Sequence, residues 1–92
     1  MNGIVSRRLK IVNEKGLHAR AAARLVEVVE GFDATAEVSL DGQSSGADSI
    51  MGLLMLAASK GKTIDIRIRG ADAEALADAI EALVADRFGE DM

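Results

Sequence analysis

The segment Ile64-Asp65-Ile66-Arg67-Ile68-Arg69 alternates without a break, isoleucine against charge. Successive side chains of a strand point to opposite faces, so this stretch can bury one face only and must leave the other in water. Ala36-Glu37-Val38-Ser39-Leu40 repeats the pattern, with Ala36, Val38 and Leu40 on one side. Two such strands imply a sheet with one wet face, the habit of antiparallel sheets, and the dry face needs a cover. Leu9 and Ile11 around Lys10 predict a first strand near residues 6–13. Asp41-Gly42 directly after Leu40 predicts a two-residue hairpin turn leading to a short strand near 43–47.

Three segments supply the cover. In residues 19–30, Ala22, Leu25, Val26 and Val29 recur at helical spacing, and Gly31 is the stop. Residues 50–58 read as a short, strongly apolar helix containing Ile50, Met51, Leu53, Leu54, Met55 and Leu56. Residues 73–86 place Leu76, Ile80, Leu83 and Val84 on one face, with Asp72 as the candidate N-cap. The order is β-α-β-β-α-β-α, an α+β two-layer sandwich. With 92 residues, no linker and no internal repeat, a single domain over 1–92 is expected, ending in an acidic tail at about 87–92.

Composition removes most other classes. There is no Cys and one His, so thiolate chemistry and a disulfide framework are excluded and a metal site is not expected. No Trp or Tyr is present, which argues against a stacking platform for nucleic acid. No apolar run approaches the ~20 residues of a membrane span, and residues 1–10 lack the apolar centre of a signal peptide. A soluble cytoplasmic protein without a cofactor is expected. The net charge of −4 is uneven: residues 1–24 carry six bases (Arg7, Arg8, Lys10, Lys15, Arg20, Arg24) against Glu14 alone. Such a segment is either a solvated strand face or a site for an anion or an acidic partner.

The single histidine lies inside that segment, in Gly16-Leu17-His18-Ala19-Arg20, between the first strand and the first helix. Histidine is a poor N-cap, so helix stability alone does not account for it. At a helix N-terminus the positive dipole end disfavours the imidazolium and leaves a nucleophilic nitrogen free. A phosphoryl group on that nitrogen would meet free backbone N–H groups, and Arg20 could add a charge-assisted bond. The competing reading is an incidental exposed histidine; as an acceptor, too, His18 is expected to have a mostly exposed side chain. Ser49, in Gly46-Ala47-Asp48-Ser49-Ile50-Met51-Gly52-Leu53, is a natural N-cap for the short helix. It is also a candidate for modification, either as a regulatory phosphoserine or, since G-x-D-S is similar to the prosthetic-group serine of acyl carrier proteins, as a carrier site. The short helix is too apolar to bury every side. Ile50, Met51, Leu54 and Met55 are therefore candidates for an exposed docking patch, and methionine suits an adaptable one.

Gly-Leu-His-Ala-Arg at 16–20, the Ala-rich helix after it, Ser-Ile-Met-Gly-Leu at 49–53, Lys60-Gly61 and Gly70-x-Asp72 together resemble HPr, the histidine phosphocarrier family of the bacterial phosphotransferase system. The resemblance runs from about residue 4 to 86. Gly31-Phe32-Asp33-Ala34 and Leu53-Leu54-Met55-Leu56 are more similar to the nitrogen-related branch, NPr. The resemblance implies an open-faced β-sandwich, a four-stranded antiparallel sheet with three helices on one face. It implies that His18 accepts a phosphoryl group from phospho-Enzyme I, charged by phosphoenolpyruvate, and passes it to an EIIA-type protein. Arg20 matches the active-site arginine, Ser49 the serine phosphorylated by HPr kinase where one exists, and Ile50 and Met51 the docking surface. Leu17, Ala21, Arg24, Leu54 and Met55 complete the expected partner-binding set. Ala21 stands where the family usually has Pro, and Asp48 where sugar-branch members often carry Lys. Such a protein is a relay and not an independent enzyme, working as a monomer on protein partners, without nucleic acid or membrane. Two other classes compete: an acyl carrier protein modified on Ser49, which predicts an all-helical bundle, and an interaction module that regulates partners without transfer.

Overall fold

The computed structural model describes residues 3–91; Met1, Asn2 and Met92, at the ends of the expected domain, lie outside them. The elements are β1 (Val5–Lys10), α1 (Ala19–Glu30), β2 (Thr35–Leu40), β3 (Gln43–Gly46), α2 (Ile50–Met55), β4 (Thr63–Arg69) and α3 (Ala73–Ala85), followed by a short 3-10 turn at Arg87–Gly89. All four strands form one antiparallel sheet in the order β1-β4-β2-β3. This is the expected open-faced sandwich, and its sheet rules out the all-helical bundle of an acyl carrier protein.

β4 is the central strand. It pairs with β1 from Ile68 opposite Val5 to Thr63 opposite Lys10, and with β2 from Arg69 opposite Thr35 to Asp65 opposite Ser39. Its three isoleucines are fully buried under the helices, each worth about 1.5–3 kcal/mol relative to exposure. Val38 and Leu40 of β2 and Leu9 of β1 join them, as do Leu25 of α1, Leu53 of α2 and Leu76 and Ile80 of α3. Asp41 and Gly42 both take positive φ (52° and 84°), the backbone a tight two-residue hairpin needs, and Leu40 pairs with Gln43 across it.

β3 and α3 each end one residue before the expected 47 and 86, and three further points differ more. β1 stops at Lys10. Beyond it, Ile11 still exchanges backbone bonds with Lys62 and Gly61, but the chain then turns to bring Asn13 inward. α2 ends at Met55, short of 58, and Ala57 takes the left-handed φ of 53°. Asp72 does not cap α3 with its side chain. Its carboxylate instead accepts from the Asp33 N–H at 2.8 Å while its own N–H donates to the Asp33 carbonyl at 3.0 Å, tying the α1–β2 loop to the start of α3.

The basic N-terminal segment is also partly consumed by the fold. Arg7 lies on the helix side of edge strand β1 and meets Glu74, Asp78 and Glu81 of α3 at 3.2–3.3 Å. These acids sit at i, i+4 and i+7, one helical face. Arg8, on the wet face, pairs with Asp65 at 2.9 Å. Of the six bases, Lys10, Lys15, Arg20 and Arg24 make no salt bridge among the described residues, and the last three line one cavity.

Candidate functional site

The loop from β1 to α1 is shaped by Gly16. Its φ is +66°, and a Cβ there would lie 2.5 Å from the Ala58 carbonyl oxygen and 2.8 Å from the Ser59 Cα, so no other residue fits. The close approach lets the Leu17 N–H donate to that carbonyl at 2.8 Å. His18 follows as the N-cap of α1 with extended backbone, and its side chain makes no capping bond. The dipole end of α1 is left open beside the imidazole.

A mostly exposed His18 was expected, and the structure corrects this: its side chain is 26% accessible. The covering group is Glu90, whose Oε2 meets His18 Nε2. Glu90 Oε1 accepts from Asn13 Nδ2 at 2.9 Å, and the same amide nitrogen donates to the Gly16 carbonyl at 2.8 Å. Two acceptors on one atom fix the orientation of the Asn13 amide. Its Oδ1 is buried and has no partner among the described residues. Burial pushes the Glu90 carboxyl up. The hydrogen bonds from Asn13 and His18, with the charges of His18 and Lys15, outweigh that and hold it below the usual carboxylate range. An ionised carboxylate can only accept, so Nε2 carries a hydrogen, and in the neutral ring the free lone pair is then on Nδ1.

The tail that delivers Glu90 is anchored by Phe88, which is fully buried. Arg87, Phe88 and Gly89 all have left-handed φ, 57°, 55° and 80°. For the two non-glycine residues this conformation costs about 1–2 kcal/mol each. That strain is held in place by the Phe88 anchor. Against the tail opens a cavity of about 270 Å³ lined by Glu14, Lys15, Arg20, Arg24, Gly89, Glu90 and Asp91. Of its three acids, Glu14 is paired with Lys60 at 2.7 Å, which also lowers its pKa, while Glu90 keeps its charge and is turned toward Asn13 and His18. Lys15, Arg20 and Arg24 are left to meet an anion.

Ser49 caps α2, its hydroxyl accepting from the Gly52 N–H at 3.0 Å. A Cβ at Gly52 would lie 2.1 Å from Ser45 Oγ, so the Ser45 hydroxyl would have to turn aside for a larger residue. Of the expected docking residues, Ile50 (40% accessible), Met51 (73%) and Met55 (75%) are exposed, Leu54 is half-buried and Arg24 is exposed. Leu17 and Ala21 are corrections. Both are buried, Leu17 held inward by its bond to Ala58 and Ala21 on the core face of α1 beside Ala22 and Leu25, so neither can touch a partner. Glu90, Asn13 and Phe88 were not singled out by sequence reasoning. The acidic tail had no assigned role, and the only sequence hint was a lone Phe88 among acids. Among the described residues no cluster of metal-ligating side chains occurs and no helix is long and apolar enough to cross a membrane.

An open-faced sandwich that displays one histidine at an uncapped helix start, next to a cavity lined by Lys15, Arg20 and Arg24 as well as acids, is the architecture of a histidine phosphocarrier. The family model described as "PTS HPr component phosphorylation site" matches residues 5–86. The chain is similar to the phosphocarrier protein HPr of Cupriavidus necator, 41% identical over 95% of this chain and 98% of that protein. It is similar also to the phosphocarrier protein NPr of Shewanella violacea, 43% identical over 94% of each. Solved HPr structures from Thermoanaerobacter tengcongensis (TM-score 0.90, 33% identity, 96% of this chain and 99% of that one) and Bacillus anthracis (TM-score 0.85, 36% identity, 89% and 98%) share the fold. The chain belongs to the HPr family of the phosphotransferase system, whose members are phosphocarriers and not enzymes.

Proposed function

We propose that His18 carries the phosphoryl group, received from phospho-Enzyme I that phosphoenolpyruvate has charged and passed on to an EIIA-type protein, in sugar uptake or in nitrogen and metabolic regulation. The observation that carries this reading is the engagement of His18 Nε2 by Glu90, which leaves Nδ1 as the one nucleophilic nitrogen at the open end of α1. Lys15, Arg20 and Arg24 line the adjoining cavity and supply charge for the transferred group. Arg20, two residues along the helix, is the group expected to follow the phosphoryl through transfer. Hold on the phosphoryl must be modest, because a clamp tighter in the ground state than in the transition state would stop onward transfer. Ile50, Met51 and Met55 on α2 form the apolar ground for docking, with Leu54 beneath them. Ser49, at the start of α2, is the position where a kinase could interrupt docking.

The test is incubation with phosphoenolpyruvate and the Enzyme I of the same organism, followed by intact mass and acid lability. One acid-labile, base-stable phosphoryl group per chain is expected, lost in His18→Ala. Arg20→Ala is expected to label more slowly with a stability change under ~0.5 kcal/mol, as at most surface sites. Undiminished labelling of His18→Ala would falsify the assignment, and full regulatory activity of that variant would favour a module that acts without transfer.

A further inference from the structure

We infer that Glu90 is a positioning residue for phosphoryl transfer, acting through the Nε2 hydrogen of His18; the inference rests on the reading of His18 as the phosphoryl acceptor. The contact spans the chain, from the start of α1 to the tail. It is built on both sides: Asn13, fully buried, holds the second carboxylate oxygen, and Phe88, fully buried, fixes the tail two residues before. The other charged groups lining the cavity that Glu90 shares are Glu14 and Lys15 on the preceding loop, Arg20 and Arg24 on α1, and Asp91 beside Glu90. Glu14 is paired with Lys60, so Glu90 is the acid directed at the ring.

The chemistry needs such a group. The Nδ1 lone pair attacks phosphorus, the N–P bond forms, and the bond to the donor breaks with its electron pair leaving on the donor. The ring, still bearing hydrogen on Nε2, now shares a positive charge between its two nitrogens. Onward transfer reverses this: the N–P pair returns to Nδ1 and a neutral imidazole departs. No proton has to move in either direction as long as Nε2 keeps its hydrogen. If that hydrogen is lost from the phosphorylated ring, the leaving group becomes an imidazolide anion and the bond becomes slow to break. The Glu90 carboxylate meets the positive charge where it develops and retains the hydrogen.

The experiment uses the full chain, phosphorylated with Enzyme I and phosphoenolpyruvate and then freed of both. Loss of the phosphoryl group to water is followed by intact mass from about pH 5 to about pH 9, a range chosen to span the titration of an imidazole. Wild type is expected to keep its rate to higher pH than Glu90→Gln, which retains shape and loses charge. With the opposite charge gone, the phosphorylated ring gives up its Nε2 hydrogen more readily, so toward the alkaline end of the range the phosphorylated Gln variant should outlive wild type by ~10-fold. Glu90→Asp should restore much of the wild-type profile. A role confined to holding the tail in place would lower stability without displacing the pH profile, so circular dichroism melts accompany the kinetics. Superimposable profiles for wild type and Glu90→Gln overturn the inference while His18 labelling stands. Labelling of His18→Ala overturns the acceptor reading itself.

Discussion

Gly16→Ala tests how the site loop is held. The new Cβ would sit 2.5 Å from the Ala58 oxygen and 2.8 Å from the Ser59 Cα, both backbone atoms that cannot swing aside. Three losses combine: about 1–2 kcal/mol for an L-residue in the left-handed region, about 1–3 kcal/mol for overpacking, and about 0.5–1.5 kcal/mol if the Leu17 N–H to Ala58 bond is stretched. Reduced freedom of the unfolded chain returns about 0.4–1 kcal/mol. The expected net loss is about 1.5–6 kcal/mol, a large share of the stability of a domain this size. Gly42→Ala is the control, because Gly42 has φ +84° with nothing within 4 Å of its would-be Cβ. It should lose only about 0.5–1.5 kcal/mol, the backbone penalty less the entropic return. Urea unfolding of both variants, compared at equal slope, measures the difference. Losses that agree within about 0.5 kcal/mol would refute the claim that contact with the 58–59 backbone, and not φ alone, dictates glycine here.

Two further outcomes are expected. Ser49→Ala should cost about 1 kcal/mol by removing the α2 cap, while Ser49→Asp, itself a good cap, should melt near wild type but label His18 more slowly, since a charge beside Ile50 and Met51 must be desolvated on docking; transfer rate and melting temperature for both variants decide it, and full-speed transfer by the Asp variant leaves Ser49 as a cap only. The Glu90 carboxyl titrates below the usual glutamate value of 4.5 because of its partners, so its hold on the tail is fully present above that value and is lost as pH falls through the folded value; the protection of the Gly89 and Glu90 amides, taken relative to the intrinsic exchange rate at each pH, should fall on acidification in wild type and stay constant in Glu90→Gln.

The sheet was legible because its alternation is local: Ile64–Arg69 and Ala36–Leu40 name their buried faces, and Asp41-Gly42 names its turn. His18 was legible because its residue type conflicts with its capping position. What could not be read was non-local. The Glu90 contact links positions 72 apart, and no periodicity records a tail that turns back through left-handed residues. Leu17 and Ala21 were misplaced for a related reason: neighbours of a site in sequence alternate between the surface and the core once a helix starts. Arg7 read as one more base near the histidine, and only the register of β1 beside α3 reveals that its charge is committed elsewhere.

The order β1-β4-β2-β3 also governs how the molecule comes into being. β1 is made first, yet its only neighbour is β4, so it has nothing to pair with until residues 63–69 exist. Up to that point a growing chain offers one hairpin, β2–β3, and helices with no dry surface to cover. At about 5–20 residues per second, the wait between completing β3 and completing β4 is on the order of one to five seconds. Closing the sheet then joins strands separated by most of the chain, a pairing of high contact order that must be made before the core can reward it. Folding is therefore gated by the arrival of a single strand, and a change that weakens β4 should delay the whole structure rather than fray one edge of it.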